Sequence, residues 1–295
     1  MRSIFRTGIL SCALLAAPLL LSTSCVAGLQ TKRLPVNIGF KPVIGHDTRA
    51  DESVPFPEDR TFRLWAINED TGDIHIDNEE IRYAGGWTSS KKWPDARLSV
   101  RAYWPTDINP SFDKSNGLSI SSFDCREGNK DILLAKAGHA DVGKDSLITL
   151  AFDHLLSRVE FRMQHSLASD IDVRLKKIEV IGFGAVGKYA NGYWTVDNKN
   201  HARVIYDAAG SEGTLLTKEP VYFGEDFFTI PQVCTASVEV SFDIRYNQGT
   251  WIPQKSVIES LNTHWEPSTH YTYSLNLTDS KLACTTGISN WNNRE

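Results

Sequence analysis

The chain has no cluster of lysines and arginines, no usable internal repeat and almost no helical periodicity, and each absence closes off a class of protein. Its 31 basic residues are outnumbered by 36 acidic ones, for a formal net charge of -5. A nucleic-acid binder needs Lys and Arg gathered on one face to neutralise phosphates, and no run of that kind occurs. The sequence holds no HExxH, no GxSxG, no GxxxxGK[ST] and no GxGxxG opening a helix, so no nucleophile with an oriented base can be named, and neither an enzyme nor a cofactor is indicated. GFGAVGKY at 182–189 is Gly-rich, but it follows a strand pattern with no helix after it to hold a phosphate; it reads as a hairpin turn or bulge. The one Asp-rich turn, NEDTGD at 68–73, lacks a full calcium ligand set.

Long apolar runs are equally scarce. The only one, Ile9 to Leu21, follows Arg2 and Arg6 and precedes Ser22, Thr23 and Ser24, the order of a secretory signal. It is shorter than the ~20 residues a membrane span needs. The residues leading to Cys25 resemble a bacterial lipoprotein signal, which implies a leader over 1–24, lipid on Cys25 and an anchor in the outer membrane; a plain secreted protein with an incidental Cys25 is the other reading. Of the five cysteines, Cys12 leaves with the leader. Cys125, Cys234 and Cys284 cannot all pair and match no zinc spacing; they read as buried small apolar side chains, with a Cys234 to Cys284 disulfide left open.

What the mature chain does have is alternation. ASVEVSFDIRY places Ala236, Val238, Val240, Phe242, Ile244 and Tyr246 on one face, and HYTYSLNL places Tyr271, Tyr273, Leu275 and Leu277 on another. RLSVRAYW, SLITLAF and SRVEFRM repeat the pattern. Period two is the mark of a strand with one buried side, and turn clusters such as KSNG and NKN separate the runs, so the sequence predicts an all-β sandwich. At 295 residues two domains are expected, with a boundary in the polar stretch AGHADVGKD: one sandwich over 25–145 and a second over 146–295. Asp153 and His154 are adjacent and so point to opposite faces of a strand. His154 is expected inward, as a hydrogen-bonded core histidine.

An ordered set of motifs carries a family resemblance. TRA at 48–50, AYWP at 102–105, DILLA at 131–135, LAFDHLLSRVEF at 150–161, FFTIPQ at 227–232, WEPSTHYTYSLNL at 265–277 and ISNW at 288–291 together resemble the fimbrillin-like proteins, subunits of the type V fimbriae of Gram-negative anaerobes. The resemblance implies two tandem transthyretin-like sandwiches and a place in a cell-surface fimbrium, with other fimbrial subunits as partners. It also implies an arginine-specific protease that cuts between Arg49 and Ala50 and releases the first strand, whose groove a neighbour's strand then fills. Arg33 and Arg60 are rival cleavage points. The local residues suit this scheme: Val36, Ile38 and Phe40 share one face of LPVNIGFKPVI, and GHDTRADES is a polar, Gly-containing loop. The tail after Leu277 shows no long alternating donor strand, which favours an accessory, anchor or tip subunit over a shaft subunit.

A second reading is a surface lipoprotein that binds glycans or a host protein through aromatic loops. The chain has 8 tryptophans and 9 tyrosines, and Trp87 and Trp93 flank the polar stretch GWTSSKKWP; aromatic faces stack on sugar rings.

Overall fold

The computed structural model describes residues 36–45, 53–126, 130–140, 147–196, 200–258, 260–261 and 263–291. Every regular element among them is a β-strand, as the alternation requires. The first part of the chain forms β1 (Asn37–Ile44), β2 (Val54–Pro55), β3 (Phe62–Asn68), β4 (Ile74–Ile81), β5 (Trp87–Lys92) and β6 (Leu98–Trp104). Two strands, β7 (Ser111–Asp113) and β8 (Gly117–Asp124), then leave for a smaller sheet, and β9 (Leu133–Ala140) and β10 (Ile148–His154) return. The main sheet runs β2-β1-β10-β9-β6-β3-β4, with β5 also paired to β1. Side chains close the gap between β4 and β5: Glu79 accepts hydrogen bonds from the Ser89 hydroxyl at 2.5 Å and the Ser90 amide at 2.7 Å.

An aromatic cluster fills this sheet. Phe56 lies 5.6 Å from Phe62, 5.6 Å from Trp87 and 5.1 Å from Phe152, ring centroid to centroid. Leu98, Val100 and Ala102 complete it from β6, one face of the predicted alternation. The other face of β6 is also covered: Tyr103 packs with Trp65 and Leu118 in a small cluster of its own. A strand covered on both sides hides its period, which explains the consecutive buried pair Ala102 and Tyr103.

The rest of the chain forms β11 (Ser157–His165), β12 (Ile171–Phe183), β13 (Val186–Ala190), β14 (Tyr193–Val196), β15 (His201–Asp207), β16 (Thr214–Leu215), β17 (Val221–Thr229), β18 (Gln232–Cys234), β19 (Ser237–Tyr246), β20 (Ile252–Ile258), β21 (Thr263–Trp265), β22 (Thr269–Leu277) and β23 (Leu282–Asn290). Two four-strand paths, β17-β11-β22-β23 and β15-β12-β19-β20, supply the second core, and β14-β13-β8-β7 forms a sheet beside them. Val238, Val240, Tyr273 and Leu275 are buried as the alternation predicts, each apolar one contributing about 1.5–3 kcal/mol by leaving water. Tyr246, the last member of the predicted β19 face, is half exposed, because it is the end of its strand.

Ile148, Leu150 and Phe152, which follow the expected boundary at 145/146, belong to the first core; from Leu155 onward the buried residues belong to the second. Ile120, Cys125 and Ile132 reach the second core from the N-terminal side. GFGAVGKY is a bulge and a crossing, not a hairpin. The register of β12 against β15 slips between Ile181 and Phe183, around Gly182 at φ 92°, and β12 and β13 then belong to different sheets. The Gln232 side chain secures the crossing, accepting from the Gly184 amide at 2.8 Å and donating to its carbonyl at 2.7 Å.

Candidate assembly site

β1 is an interior strand. On one side it pairs in parallel with β10, Phe40 opposite Ile148 through Ile44 opposite Phe152. On the other it pairs antiparallel first with β5, at Asn37, Gly39 and Phe40, and then with β2, at Val43 and Ile44. Pro42 stands where one partner has ended and the next begins. A proline lacks the N–H that a central strand would use and is tolerated where the ladder is interrupted; here its carbonyl still accepts the Phe56 amide at 3.2 Å. Further bonds fix the two ends, from Trp93 N–H to the Val36 carbonyl and from Gly45 N–H to the Phe152 carbonyl, both at 2.9 Å.

Ile38 and Phe40 enter the core at 0% and 2% exposure, and Phe40 meets Phe62 edge-on at 6.3 Å. Val36, expected on the same buried face, is 61% exposed. It precedes the strand by one residue, and its contribution is its carbonyl, not its side chain. Ile44 continues the alternating face of Ile38 and Phe40 and is buried too, whereas Val43 is buried out of phase with it. Cys25, Arg49 and Ala50 lie outside the described residues, as does Arg33. Arg60 is exposed, with its guanidinium 4.7 Å from the centre of the Trp104 ring.

The expected ligand loop is corrected. GWTSSKKWP is largely strand β5, and Trp87 is 8% exposed, wedged against Phe56, Phe62 and Tyr83. A β-strand that pairs with β1 carries its first aromatic inward, so this ring has no free face. Trp93 is partly buried against the same core. Aromatic groups gather instead around a cavity of about 610 Å³ lined by Ile44, Trp104, Trp291 and Phe228 together with the charged Arg60 and Asp131. Its walls come from strands far apart in the chain, yet the motifs reach it: Trp104 comes from AYWP, Asp131 from DILLA, Phe228 from FFTIPQ and Trp291 from ISNW.

Chemically reactive groups are few. His154 is buried and its Nδ1 lies 2.7 Å from Asp131 Oδ2, not against Asp153, as expected of a core histidine. Burial pushes the Cys125 thiol up to about 11, and that of Cys284 likewise to about 11, so neither is a thiolate near neutrality. Cys125, Cys234 and Cys284 are free thiols. Among the described residues no group of His, Cys, Asp and Glu side chains is placed to hold a metal ion.

The model of the fimbrillin-like family matches residues 48–291. This chain belongs to the fimbrillin-like family. No curated protein sequence matches it. Among solved structures it is similar to a fimbrial protein from Bacteroides vulgatus, with 13% identity, a TM-score of 0.65, and coverage of 86% of this chain and 99% of that one. It is also similar to two proteins named for cell adhesion. The one from Bacteroides uniformis shares 12% identity with a TM-score of 0.56, over 86% and 98% of the two chains. The other, from Bacteroides ovatus, shares 14% identity with a TM-score of 0.56, over 89% and 100%. At such identities the likeness is one of fold.

Proposed function

We propose that this fimbrillin-like chain is a structural subunit of a cell-surface fimbrium, built as two tandem transthyretin-like sandwiches that meet near Leu155 and joined to its neighbours by exchange of β1. The observation that carries the reading is how β1 is held. It supplies Ile38, Phe40 and Ile44 to a core of aromatic rings, yet its ladders are short: five residues of parallel pairing and two brief antiparallel stretches, interrupted at Pro42. Parallel pairing is slightly the weaker kind. Removing β1 would uncover both an apolar slot and unpaired backbone on β10, β5 and β2, which an incoming strand satisfies by β-augmentation.

In this scheme an arginine-specific protease cuts between Arg49 and Ala50, and lipid on Cys25 holds the precursor at the outer membrane. An accessory, anchor or tip position is favoured over the shaft, because the C-terminal strand β23 is committed to β22 over nine consecutive pairs and is not a loose donor. The test is to cleave the purified chain with an arginine-specific protease and add a fluorescent peptide of sequence LPVNIGFKPVI. Uptake by cleaved protein, and none by an Arg49→Gln chain, is expected; a cleaved chain that takes up no peptide overturns the scheme.

A second reading, binding of glycans or a host protein, is favoured by one observation, the Trp104 cavity. Saturable glycan-array binding lost in Trp104→Ala would support it, and binding that survives this change would place the ligand elsewhere.

A further inference from the structure

Sheet edges offer unpaired N–H and C=O groups to any passing strand, and folded proteins blunt them with charge, proline, bulges or short length. The long outer strands here follow that rule with one exception. β4 carries Asp77, Glu79 and Glu80, β15 carries Arg203 and Asp207, β17 carries Glu225 and Asp226 beside a slipped register, and β20 carries Pro253 and Lys255. β2 and β7 are two and three residues long. β23 is nine residues long, reads LACTTGISN with neither charge nor proline, and pairs with β22 from Leu282 to Asn290 without a break in register. Among the described residues no strand pairs with its far side, and residues 285–290 are exposed.

The phase of the ladder tells which backbone groups face outward. Trp291 N–H bonds to the Ser268 carbonyl at 3.0 Å, continuing the β22 to β23 register. Hydrogen-bonded pairs alternate in an antiparallel ladder, so Ser289, Gly287, Thr285 and Ala283 bond inward to β22. Leu282, Cys284, Thr286, Ile288 and Asn290 therefore direct their N–H and C=O away from the sheet.

We propose that this edge pairs with the same edge of a second copy of the chain, antiparallel about a two-fold axis through Thr286. The argument for a copy as occupant is self-complementarity. An isologous contact sets residue i against residue j and j against i, and a residue at the axis against its own copy, so a charge at or beside the axis would meet a like charge, and β23 alone among the long outer strands carries no charge at all. With the axis at Thr286, the outward-directed residues meet one another in phase. Thr286 opposes Thr286 of the second copy, a favourable cross-strand pair, and Cys284 opposes Ile288, itself 68% exposed in the single chain. The two sheets then run on as one. No residue of β1 takes part, so this pairing is independent of the strand exchange proposed above.

The test is sedimentation velocity of the full chain in mild detergent across a concentration series, for wild type and Thr286→Pro. Because the Thr286 N–H points outward, proline there removes no bond to β22 and only blocks the edge. Wild type is expected to show a concentration-dependent dimer, and Thr286→Pro to weaken the association at least tenfold with thermal unfolding unchanged. Should the proline variant unfold, Thr286→Lys serves in its place, by like-charge repulsion across the axis. In parallel, Thr286→Cys treated with diamide should form a covalent dimer beyond the wild-type level, since directly opposed strand residues lie within disulfide reach. Wild type that stays monomeric, a dimer indifferent to both edge variants, or a Thr286→Cys chain that does not cross-link would each overturn the proposal.

Discussion

Trp291 lies flat on His154, with ring centroids 3.7 Å apart and planes 15° from parallel. His154 ends β10 in the first sheet, and Trp291 follows β23 at the end of the described chain, so one stacked pair joins the two cores. Trp291 also stacks on Phe228 at 5.0 Å. Trp291→Ala is expected to cost about 4 kcal/mol, the usual price of emptying a buried tryptophan site. A urea titration read by circular dichroism measures it; a loss under about 1 kcal/mol would mean that the stack holds nothing together.

The share of this that was legible in the sequence follows the chemistry of each segment. Strands with one wet face, such as β19 and β22, print their alternation directly: all four residues expected inward on β22 are buried, and on β19 the pattern holds through Phe242 and fails only toward the strand's end, where Asp243 is buried and Tyr246 exposed. β6, and β1 near its end, are covered on both sides, so buried residues run consecutively there and the period-two rule passes over Tyr103 and Val43. The polar neighbours of Trp87 suggest a loop, whereas Thr88, Ser90 and Lys92 are the solvent side of a strand. The motifs AYWP, DILLA, FFTIPQ and ISNW each carry a residue of the cavity beside Trp104, but that these residues meet follows only from tertiary pairing.

Glu79 joins β4 to β5, and its titration should be felt in stability. Burial pushes its carboxyl up, but hydrogen bonds from Ser89 and Ser90 and the nearby Lys91 charge outweigh that and hold it below the ordinary value of 4.5. A carboxylate depressed in the folded state contributes stability above its unfolded value, and that contribution fades as pH falls below about 4.5 toward the folded value. Glu79→Gln is therefore expected to lower stability at pH 7 and to flatten its decline between pH 5 and pH 3. Parallel urea midpoints for wild type and variant over that range decide it; identical slopes would remove Glu79 from the account.

Gly224 interrupts β17 at φ 80°, and a Cβ built there would sit 2.1 Å from the Ile205 carbonyl oxygen. The clash is with backbone, so no side chain can turn aside. Gly224→Ala must bear both the left-handed strain, about 1–2 kcal/mol, and displacement of β15. A total loss of about 3 kcal/mol is expected in thermal or urea unfolding. Wild-type stability in this variant would show that the β15 to β17 contact is looser than the geometry implies.

Arg174 donates from Nε to Asp243 Oδ2 at 2.7 Å across β12 and β19, and its guanidinium lies 4.4 Å from the centre of the Trp251 ring. Asp243 is 8% exposed on the face that the alternation of β19 assigns to solvent, so pairing is what makes its burial tolerable. Removing Arg174 alone strands a buried carboxylate, and Arg174→Leu is expected to cost about 3 kcal/mol. Arg174→Leu with Asp243→Leu leaves no buried charge unpaired, since Arg174's other carboxylate, Glu212 at 3.6 Å, is exposed to solvent, and should cost less than the single change, even though two polar side chains are gone. Trp251 keeps its second cation, Arg245 at 4.5 Å, in both variants, so the difference between them isolates the ion pair. A double-mutant cycle in urea gives the coupling directly, and a double variant less stable than Arg174→Leu would mean that Asp243 is satisfied by something other than Arg174.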